Sequence, residues 1–384
     1  MSRAKPNSDP LIQQLRSVLP DSCIVSDPAS MKPYECDGLS GYRQMPRVVV
    51  LPTTVEQVQA VMKVCQASKT PVVPRGAGTS LSGGAMPHKN GVVLSVNRLN
   101  RILEIDAQNR CATLQPGVRN LQISDAVEHL GLYYAPDPSS QIACTIGGNV
   151  AENAGGVHCL KYGLTVHNIL QVKIVTLKGD LITLGSTAPD SPGNDLLALM
   201  MGSEGMLGIV VEVVVRLLPR PPLARVLMAA FDDIKKAGNA VANVIAAGVI
   251  PAGFEMMDRA AITAAEDFVR AGYPADAEAI LLCEVDGTEQ EVNTQLDRVE
   301  ALLDKAGATQ ISLAKDESER ILFWSGRKNA FPAVGRISPD YYCMDGTIPR
   351  KEIGNVLTRI SAMADRHGLG AVSYTHLRAH ETNE

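Results

Sequence analysis

The chain has 384 residues, of which 45% are apolar and 20% charged, and its formal net charge is −5. This composition is typical of a globular protein, the length allows two or three domains, and the slight acidity gives no electrostatic footprint for nucleic acid. No apolar run reaches the roughly 18 residues of a membrane span, and the N-terminus lacks the apolar core of a secretory signal. We therefore expect a cytoplasmic protein.

The eight cysteines are scattered, and no two of them form a Cys-x-x-Cys pair. This argues against a zinc or iron–sulfur site on the chain, and no metal is predicted. In a reducing compartment most of these thiols are expected to be buried and free. Any electrons that the chain collects would then have to pass to something outside this chain.

Hydrophobic periodicity and turn residues predict the elements of the first half. In chain order these are an amphipathic segment at 10–19, a strand at 47–51, a helix opened by the capping box Thr54-Val-Glu-Gln57, strands at 71–74 and 91–96, a hairpin of 102–106 with 111–114, and a helix at 120–130 closed by Gly131. Tyr34–Asp37 is expected to lie in a plain surface loop.

A glycine-rich loop follows the strand predicted at 71–74. It reads Pro-Arg-Gly-Ala-Gly-Thr-Ser-Leu-Ser-Gly-Gly over residues 74–84. Glycine adopts positive φ and has no Cβ, so the loop can lay backbone N–H groups against an anion, with hydroxyl donors and the charge of Arg75 beside them. It is neither a Rossmann fingerprint, because position 81 is Leu, nor a P-loop, because it has no lysine. The loop suggests a diphosphate cradle, and a simple glycine-rich surface loop is the alternative.

A second glycine-rich stretch occupies residues 136–163. Two glycine pairs, Gly147-Gly148 and Gly155-Gly156, are interleaved with Thr145, Asn149 and Asn153. The stretch is too apolar for a linker and, by propensity, too glycine-rich for a stable helix. Small residues and side-chain amides in buried backbone suggest close contact with a flat polar ligand.

The second half changes pattern at the proline-rich segment 219–222, which is the candidate domain boundary. Before it come a hairpin of 169–177 with 181–184 and a strand at 209–218. After it come a strand at 224–231, a helix at 233–247, a strand at 253–257, a strand at 279–285, a helix from the capping box Thr288-Glu-Gln-Glu291 to Lys305, and a strand at 308–313. Two strand–helix–strand units of similar length predict a ferredoxin-like α+β layer.

Five motifs taken in order carry a family resemblance. They are the loop at 74–84, Pro-Asp-Pro-Ser-Ser (136–140), Thr-Ile-Gly-Gly-Asn (145–149), Ala-Gly-Gly (154–156) and Ser-Glu-Gly-Met-Leu-Gly-Ile (203–209). Together they resemble the FAD-binding domain of the vanillyl-alcohol oxidase superfamily. Over roughly residues 10–370 the chain is most similar to the family of the D-type subunits of glycolate oxidase and the FAD-linked D-lactate dehydrogenases.

The resemblance implies an α+β fold with a vanillyl-alcohol oxidase (PCMH)-type FAD-binding domain followed by a ferredoxin-like cap domain that is incomplete at the C-terminus. The implied domains are an N-terminal segment (1–45), the FAD-binding domain (46–220), a cap or substrate domain (221–370) and a tail outside the family (371–384). In this family the cap covers the flavin ring and shapes the substrate pocket.

The same resemblance implies which residues bind FAD. The glycine loop would hold the pyrophosphate, the second stretch the isoalloxazine and ribityl parts, and residues near 204–209 the adenosine end. The residues are Arg75, Gly76, Ala77, Gly78, Thr79, Ser80, Gly83, Pro136, Asp137, Ser139, Ser140, Thr145, Gly147, Gly148, Asn149, Gly155, Gly156, Glu204, Gly205 and Ile209. Members with covalently bound flavin often have a histidine at the position of Thr79, so FAD is expected to be non-covalent here.

Arg327 is the candidate for binding the substrate. Its position in Trp324-Ser-Gly-Arg327 matches the carboxylate-binding arginine of the family, and a guanidinium binds a carboxylate bidentately. The alternative is a surface helix arginine. Relatives that oxidise dicarboxylic 2-hydroxy acids carry a lysine where this chain has Cys343, which favours a small monocarboxylate. His158 and His167 are considered as bases, and a hydrogen-bonded structural role is preferred for both.

The resemblance ends near Gly370, before a histidine-rich segment that the family uses as a metal and substrate site. His376 and His380 have ligand-like spacing, but their segment is polar and aperiodic, so we expect no metal there and a truncated C-terminus. The base is then expected to lie in the missing segment.

The function implied is FAD-dependent oxidation of a small 2-hydroxy acid, glycolate or D-lactate, by hydride transfer to flavin N5. A D-lactate dehydrogenase proper and a non-catalytic flavin-binding subunit are the alternatives. The implied partners are a flavin-binding subunit and an iron–sulfur subunit of a glycolate oxidase complex. These partners would place the chain in the cytoplasm or peripheral to the inner membrane, and they would pass electrons towards quinone.

Overall fold

The computed structural model describes residues 9–188, 193–339 and 341–376. The chain forms two compact units. One comprises the chain up to Gly155 together with Leu164–Arg220, and the other comprises Gly156–Gly163 together with the chain from Pro221 onward. The division at Arg220 falls within the proline-rich segment, whereas the crossing of 156–163 into the second unit has no counterpart in the predicted domains.

The first 220 residues contain eleven strands and eight α-helices among the described residues. The strands are β1 (Ile24–Val25), β2 (Val48–Val50), β3 (Val72–Arg75), β4 (Val92–Ser95), β5 (Ile102–Asp106), β6 (Cys111–Leu114), β7 (Leu132–Tyr133), β8 (Ile169–Val175), β9 (Leu181–Gly185), β10 (Ile209–Arg216) and β11 (Leu218–Pro219). The α-helices are α1 (Pro10–Val18), α2 (Pro28–Met31), α3 (Val55–Ala67), α4 (Asn120–Val127), α5 (Ile146–Glu152), α6 (Cys159–Tyr162), α7 (Thr165–Asn168) and α8 (Leu196–Met200). Short 3₁₀ turns lie at Asp21–Cys23, Lys32–Tyr34 and Glu128–Leu130.

The first unit contains two main sheets. One has the order β1-β2-β4-β3, in which β2, β4 and β3 are parallel and β1 is antiparallel. The valines of β2 are fully buried, as expected of a parallel strand that is covered on both faces. The other sheet is antiparallel with the order β5-β6-β10-β8-β9, so both predicted hairpins are confirmed. A short ribbon pairs β7 with β11.

The second unit is built on one antiparallel sheet. Its strands are β12 (Leu223–Phe231), β13 (Gly253–Asp258), β14 (Ala279–Gly287), β15 (Gln310–Leu313) and β16 (Tyr374–His376). Its helices from Pro221 onward are α9 (Ile234–Ala246), α10 (Arg259–Val269), α11 (Glu289–Lys305), α12 (Glu317–Lys328), α13 (Ala330–Val334) and α14 (Ile353–His367), with a 3₁₀ turn at Arg350–Glu352.

The sheet of the second unit has the order β15-β12-β14-β13-β16. Apart from β16, this is the ferredoxin-like order, with the first strand between the last and the third, as predicted. Phe231 and Leu281 lie on one face of the sheet in the core that contains α9 and α11 residues. Met228 and Leu282 lie on the other face in a second core with α10 and α12 residues. Strand β16 lies beyond residue 370, where the sequence analysis expects only an aperiodic tail.

The prediction that the second glycine-rich stretch is too rich in glycine for a helix is wrong. Helix α5 contains Gly147 and Gly148, and most of its residues are buried. A Cβ on Gly147 would lie 2.6 Å from the Cβ of Pro116, so the missing side chain is what lets the helix approach that residue. Tertiary packing therefore outweighs the low helix propensity of glycine.

We expect the two glycines of α5 to respond oppositely to alanine. Gly147→Ala forces a contact of 2.6 Å with Pro116 and should lower the free energy of unfolding by about 1–3 kcal/mol. Gly148→Ala meets only Thr145 Oγ1 at 3.6 Å and should be neutral or gain up to about 1 kcal/mol from helix propensity. Urea unfolding of both FAD-free variants measures this, and equal effects would contradict the packing argument.

Candidate functional site

Three segments of the first unit enclose a groove with about 1070 Å³ of space between protein atoms, part of it open to solvent. They are the loop after β3, helix α5 with the residues before it, and the loop before β10. The groove is lined by most of the residues predicted to bind FAD, namely Arg75, Gly76, Ala77, Gly78, Thr79, Ser80, Ser140, Thr145, Gly147, Gly148, Asn149, Glu204, Gly205 and Ile209. The two glycine-rich stretches are therefore brought together.

Six predicted residues do not line this groove, and they are Gly83, Pro136, Asp137, Ser139, Gly155 and Gly156. Gly156 belongs to the second unit. The backbone carbonyl of Pro136 accepts a hydrogen bond from the Asn120 amide, at 3.0 Å, and that amide also contacts Asn149 Oδ1 at 3.0 Å. Pro136 is thus linked through Asn120 to Asn149, which lines the groove.

Thr145 and Gly76, which both line the groove, are in close contact. A Cβ on Gly76 would overlap Thr145 Oγ1, so any other residue there would displace the hydroxyl. That hydroxyl is buried and has no hydrogen-bond partner among the described residues. Because buried polar atoms nearly always find a partner, this atom marks a place where a ligand oxygen or nitrogen fits.

The Arg75 side chain packs against the glycine loop and links it to an earlier segment of the chain. It is 8% exposed, and its Nη1 donates to the carbonyl of Cys36 at 2.7 Å. Gly78 has φ +73°, and a Cβ there would overlap Arg75 Nη2. Burial lowers the pKa of the guanidinium, against the charge of nearby Asp37. The turn at Gly78 is thus built around the Arg75 side chain.

The expectation of a plain surface loop at Tyr34–Asp37 is wrong. Asp37 is buried, and its carboxylate accepts from the backbone of Leu39 at 3.0 Å and of Ala85 at 3.4 Å. With the bond from Arg75 to Cys36, these contacts fasten the segment to the glycine loop. No local sequence signal marks the bonds to the glycine loop, because those partners are about forty residues apart.

Two carboxylates that sequence reasoning does not pair, Glu152 and Glu204, line the groove close to each other. A Cβ on Gly84 would lie 3.1 Å from Glu152 Oε1 and 3.9 Å from Glu204 Oε2. Burial, and then the charge of Glu204, raise the pKa of Glu152. Among the described lining residues the basic side chain is Arg75, which already binds carbonyls. Anion binding in this groove would therefore depend on backbone N–H groups and hydroxyls.

Arg327 lies in the second unit on α12, and it is not a surface residue. It is 2% exposed, and its Nε donates to Glu255 Oε2 at 2.8 Å. The guanidinium also stacks on the ring of Tyr374, 4.6 Å from the centroid. Cys343 is half-buried in the same unit, and burial, with the charge of Asp345, raises the pKa of its thiol.

Both histidines that were considered as bases have hydrogen bonds. His158 Nε2 lies 3.1 Å from Glu284 Oε1, and the Leu164 N–H donates to His167 Nδ1 at 3.0 Å. His380 lies outside the described residues, and so does the side chain of His376. Within the described ranges, no three His, Cys, Asp or Glu side chains are placed to hold a metal ion. In those ranges, too, every helix is too short or too polar to cross a bilayer.

The groove fits a flavin nucleotide. Its glycine-rich backbone, the hydroxyl groups of Thr79 and Ser80, and the unpartnered Thr145 hydroxyl suit a polar ligand with a diphosphate.

Comparison with known proteins supports this assignment. The family profile described as FAD binding domain matches residues 46–185, and the profile described as FAD linked oxidases, C-terminal domain, matches residues 220–381. The second match extends past residue 370, where the resemblance seen in the sequence ends.

Relatives of known name are similar over most of the chain. The glycolate oxidase subunit GlcD of Escherichia coli (strain K12) is 60% identical over 95% of this chain and 73% of its own length. GlcD of Bacillus subtilis (strain 168) is 39% identical over 89% of this chain and 73% of its own length. A D-lactate dehydrogenase of Anaerostipes hadrus is 30% identical over 95% of this chain and 78% of its own length.

Solved structures share the fold at low identity. An alkyldihydroxyacetonephosphate synthase has a TM-score of 0.78 at 18% identity, over 98% of this chain and 79% of its own. p-Cresol methylhydroxylase with substrate bound has a TM-score of 0.76 at 20% identity, over 96% of this chain and 80% of its own.

We expect Gly78→Ala to weaken FAD binding at least about tenfold, since it combines left-handed backbone strain with displacement of Arg75. Gly83→Ala is the matched control. Gly83 has φ +80°, but a Cβ there would lie 3.8 Å from its nearest neighbour, Leu39. Fluorescence titration of the FAD-free variants with FAD measures both constants. Equal weakening would show that strain alone, and not the Arg75 brace, sets the affinity.

We expect Thr145→Val to raise the Kd for FAD about tenfold, the effect of one lost hydrogen bond to a charged or polar ligand group. Stability of the FAD-free protein should stay within about 1 kcal/mol, because the hydroxyl has no described protein partner to lose. Thr145→Ser keeps the hydroxyl and should bind FAD within about threefold of wild type. Loss of affinity in the serine variant, or none in the valine variant, would refute a ligand contact at Oγ1.

Proposed function

This chain belongs to the family of FAD-linked oxidases that contains the glycolate oxidase subunit GlcD, and from that premise we propose that it oxidises glycolate to glyoxylate, with D-lactate as the second candidate substrate. It is a FAD-dependent oxidoreductase of hydroxy acids. The observation that carries glycolate over D-lactate is 60% identity to a GlcD, against 30% to a D-lactate dehydrogenase.

We propose that the groove of the first unit holds FAD non-covalently. The backbone around Gly76 and Gly78 would bind the diphosphate, Thr145 would donate or accept one hydrogen bond, and Thr79 offers no imidazole for a covalent link. When bound, FAD supplies a hydride acceptor for the α-carbon of a hydroxy acid. The chain itself supplies a fixed, largely preformed cradle.

Arg327 is proposed to bind the substrate carboxylate. A guanidinium has five N–H donors, of which the one on Nε is directed at Glu255. Because its guanidinium is paired with the buried Glu255 carboxylate, the proposal rests on the match of its position to the carboxylate-binding arginine of the family and not on an unbalanced charge. Binding the carboxylate at a fixed point orients the α-carbon and its hydroxyl.

The substrate is proposed to be a monocarboxylate. Cys343 stands where relatives that oxidise dicarboxylic acids carry a lysine, and a thiol whose pKa is raised by burial stays neutral. A second carboxylate would find no cation at that position. His158 and His167 are engaged within the fold, so we assign neither of them as the base.

Partner subunits are proposed as the electron acceptors. The two GlcD relatives reported above are named as subunits, and no Cys-x-x-Cys pair occurs in this chain. Electrons would pass to a second flavin-binding subunit and an iron–sulfur subunit, and any attachment to the cytoplasmic side of the inner membrane would run through those partners.

The test is reduction of the bound flavin. Anaerobic glycolate should bleach the flavin spectrum of the purified chain, and D-lactate should bleach it more slowly. Arg327→Lys should keep FAD and the charge opposite Glu255 but lose bidentate geometry, so the rate of bleaching should fall about 100-fold.

Arg336→Lys is the matched control. Arg336 follows on the same stretch of chain, is exposed, and donates to the carbonyl of Asp267. The variant should bleach at the wild-type rate. Bound flavin that neither acid bleaches in wild type would favour a non-catalytic subunit, and an unchanged rate in Arg327→Lys would remove Arg327 from the site.

A further inference from the structure

Helix α12 presents three polar side chains to the interior of the second unit. Arg320, Trp324 and Arg327 are spaced four and three residues apart, which places them on one face of the helix. Arg327 is 2% and Trp324 5% exposed. These three side chains contact two buried glutamates.

The first of these glutamates is Glu284 on β14. It is 2% exposed and accepts from Arg320 Nη1 at 2.8 Å and from the indole N–H of Trp324 at 2.5 Å. Its other oxygen contacts His158 Nε2 at 3.1 Å, and His158 immediately precedes α6. Burial acts to raise the pKa of Glu284, but the bonds and charges of these partners hold it below its usual range.

The second glutamate is Glu255 on β13, which is 1% exposed and binds Arg327. In the antiparallel pair of β13 and β14, Gly253 is opposite Glu284 and Glu255 is opposite Leu282. Glu255 and Glu284 are therefore diagonal neighbours on one face of the sheet. A Cβ on Gly253 would lie 3.2 Å from the Trp324 ring, so the glycine lets the indole sit between the glutamates and the helix.

Stability alone explains this arrangement poorly. Buried ion pairs lose much of their attraction to desolvation, and apolar residues of the same size often stabilise equally well. Their best-attested use is to fix one register. A slip of α12 by one residue turns its face by about 100° and would break the contacts to both glutamates at once.

We propose that Glu284 and Glu255 are positioning residues that fix the register of α12 and so place the Arg327 guanidinium for the substrate carboxylate. The assignment rests on the proposed role of Arg327. Glu284 acts at a distance, through Arg320 and Trp324, whereas Glu255 touches Arg327 directly. Glu284 is the better residue to test, because its replacement leaves the charge beside Arg327 unchanged.

The experiment compares two substitutions at the partners of Arg320. Glu284→Gln removes the buried carboxylate, and Glu317→Gln removes an exposed carboxylate that binds Arg320 at 2.7 Å with 64% of its side chain exposed. Both variants are measured as FAD-loaded protein with glycolate and an artificial electron acceptor. We expect Glu284→Gln to raise KM about tenfold, with kcat within about twofold and FAD content unchanged. Glu317→Gln should match wild type.

A purely structural role would lower Tm without moving KM of the folded enzyme, and that result overturns the proposal. If Glu284→Gln does not fold, Trp324→Phe removes the indole N–H donor and part of the ring while keeping an aromatic side chain, and an unchanged KM in that variant overturns the proposal in the same way. If the proposed function itself is wrong, glycolate and D-lactate would not reduce the bound flavin of the wild-type protein. The assignment of Glu284 and Glu255 as positioning residues would then fail as well.

Discussion

The first unit depends on how closely its backbone segments approach one another. Helix α5 reaches Pro116 because residue 147 has no side chain, and the loop after β3 reaches Thr145 because residue 76 has none. These two contacts fix helix α5 and the loop beside the groove, and the buried Thr145 hydroxyl has no partner among the described residues. A larger residue at position 147 would push against ring and backbone atoms of Pro116, and one at position 76 would displace the Thr145 hydroxyl.

The buried charged side chains of this molecule bind other parts of the fold. Arg75, the basic side chain among the described residues of the groove, binds backbone carbonyls of an N-terminal segment and shapes the turn at Gly78. In the second unit, the buried cations likewise face carboxylates at Glu255 and Glu284. Each of these two carboxylates is paired, as the cost of desolvation requires.

The fold could be predicted from the sequence where the signals are local. Alternating or continuous valines identified the strands at 48–50 and 209–216. The Thr288 capping box located the start of α11, and in the structure the side chains of Thr288 and Glu291 each accept a hydrogen bond from the other's backbone N–H. The helix through Gly147 could not be predicted, because it depends on close packing against residues such as Pro116, which lies in another part of the sequence. The segment 34–37 was missed for the same reason.

The candidate site, too, could be predicted where a motif marks it and could not be predicted where its contacts join distant residues. The glycine motifs indicated which residues meet at the groove, since the resemblance fixes their order. The roles of the side chains were harder to predict: Arg75 proved to be a brace, and Glu255 and Glu284 carried no motif at all. The alternation of side chains between the two faces of β13 and β14 is the one sequence signal that would have placed these two glutamates on the same face. Both strands are so apolar that this signal does not identify the two acids as partners of a helix.

Binding a diphosphate without a dedicated cation has a physical consequence. Backbone N–H groups are fixed dipoles that need no reorganisation and do not carry their own counterions. Glu152 and Glu204 also line the groove, and Glu152 bonds to Ser80 of the glycine loop, so the backbone N–H groups must outweigh the repulsion between these carboxylates and a diphosphate.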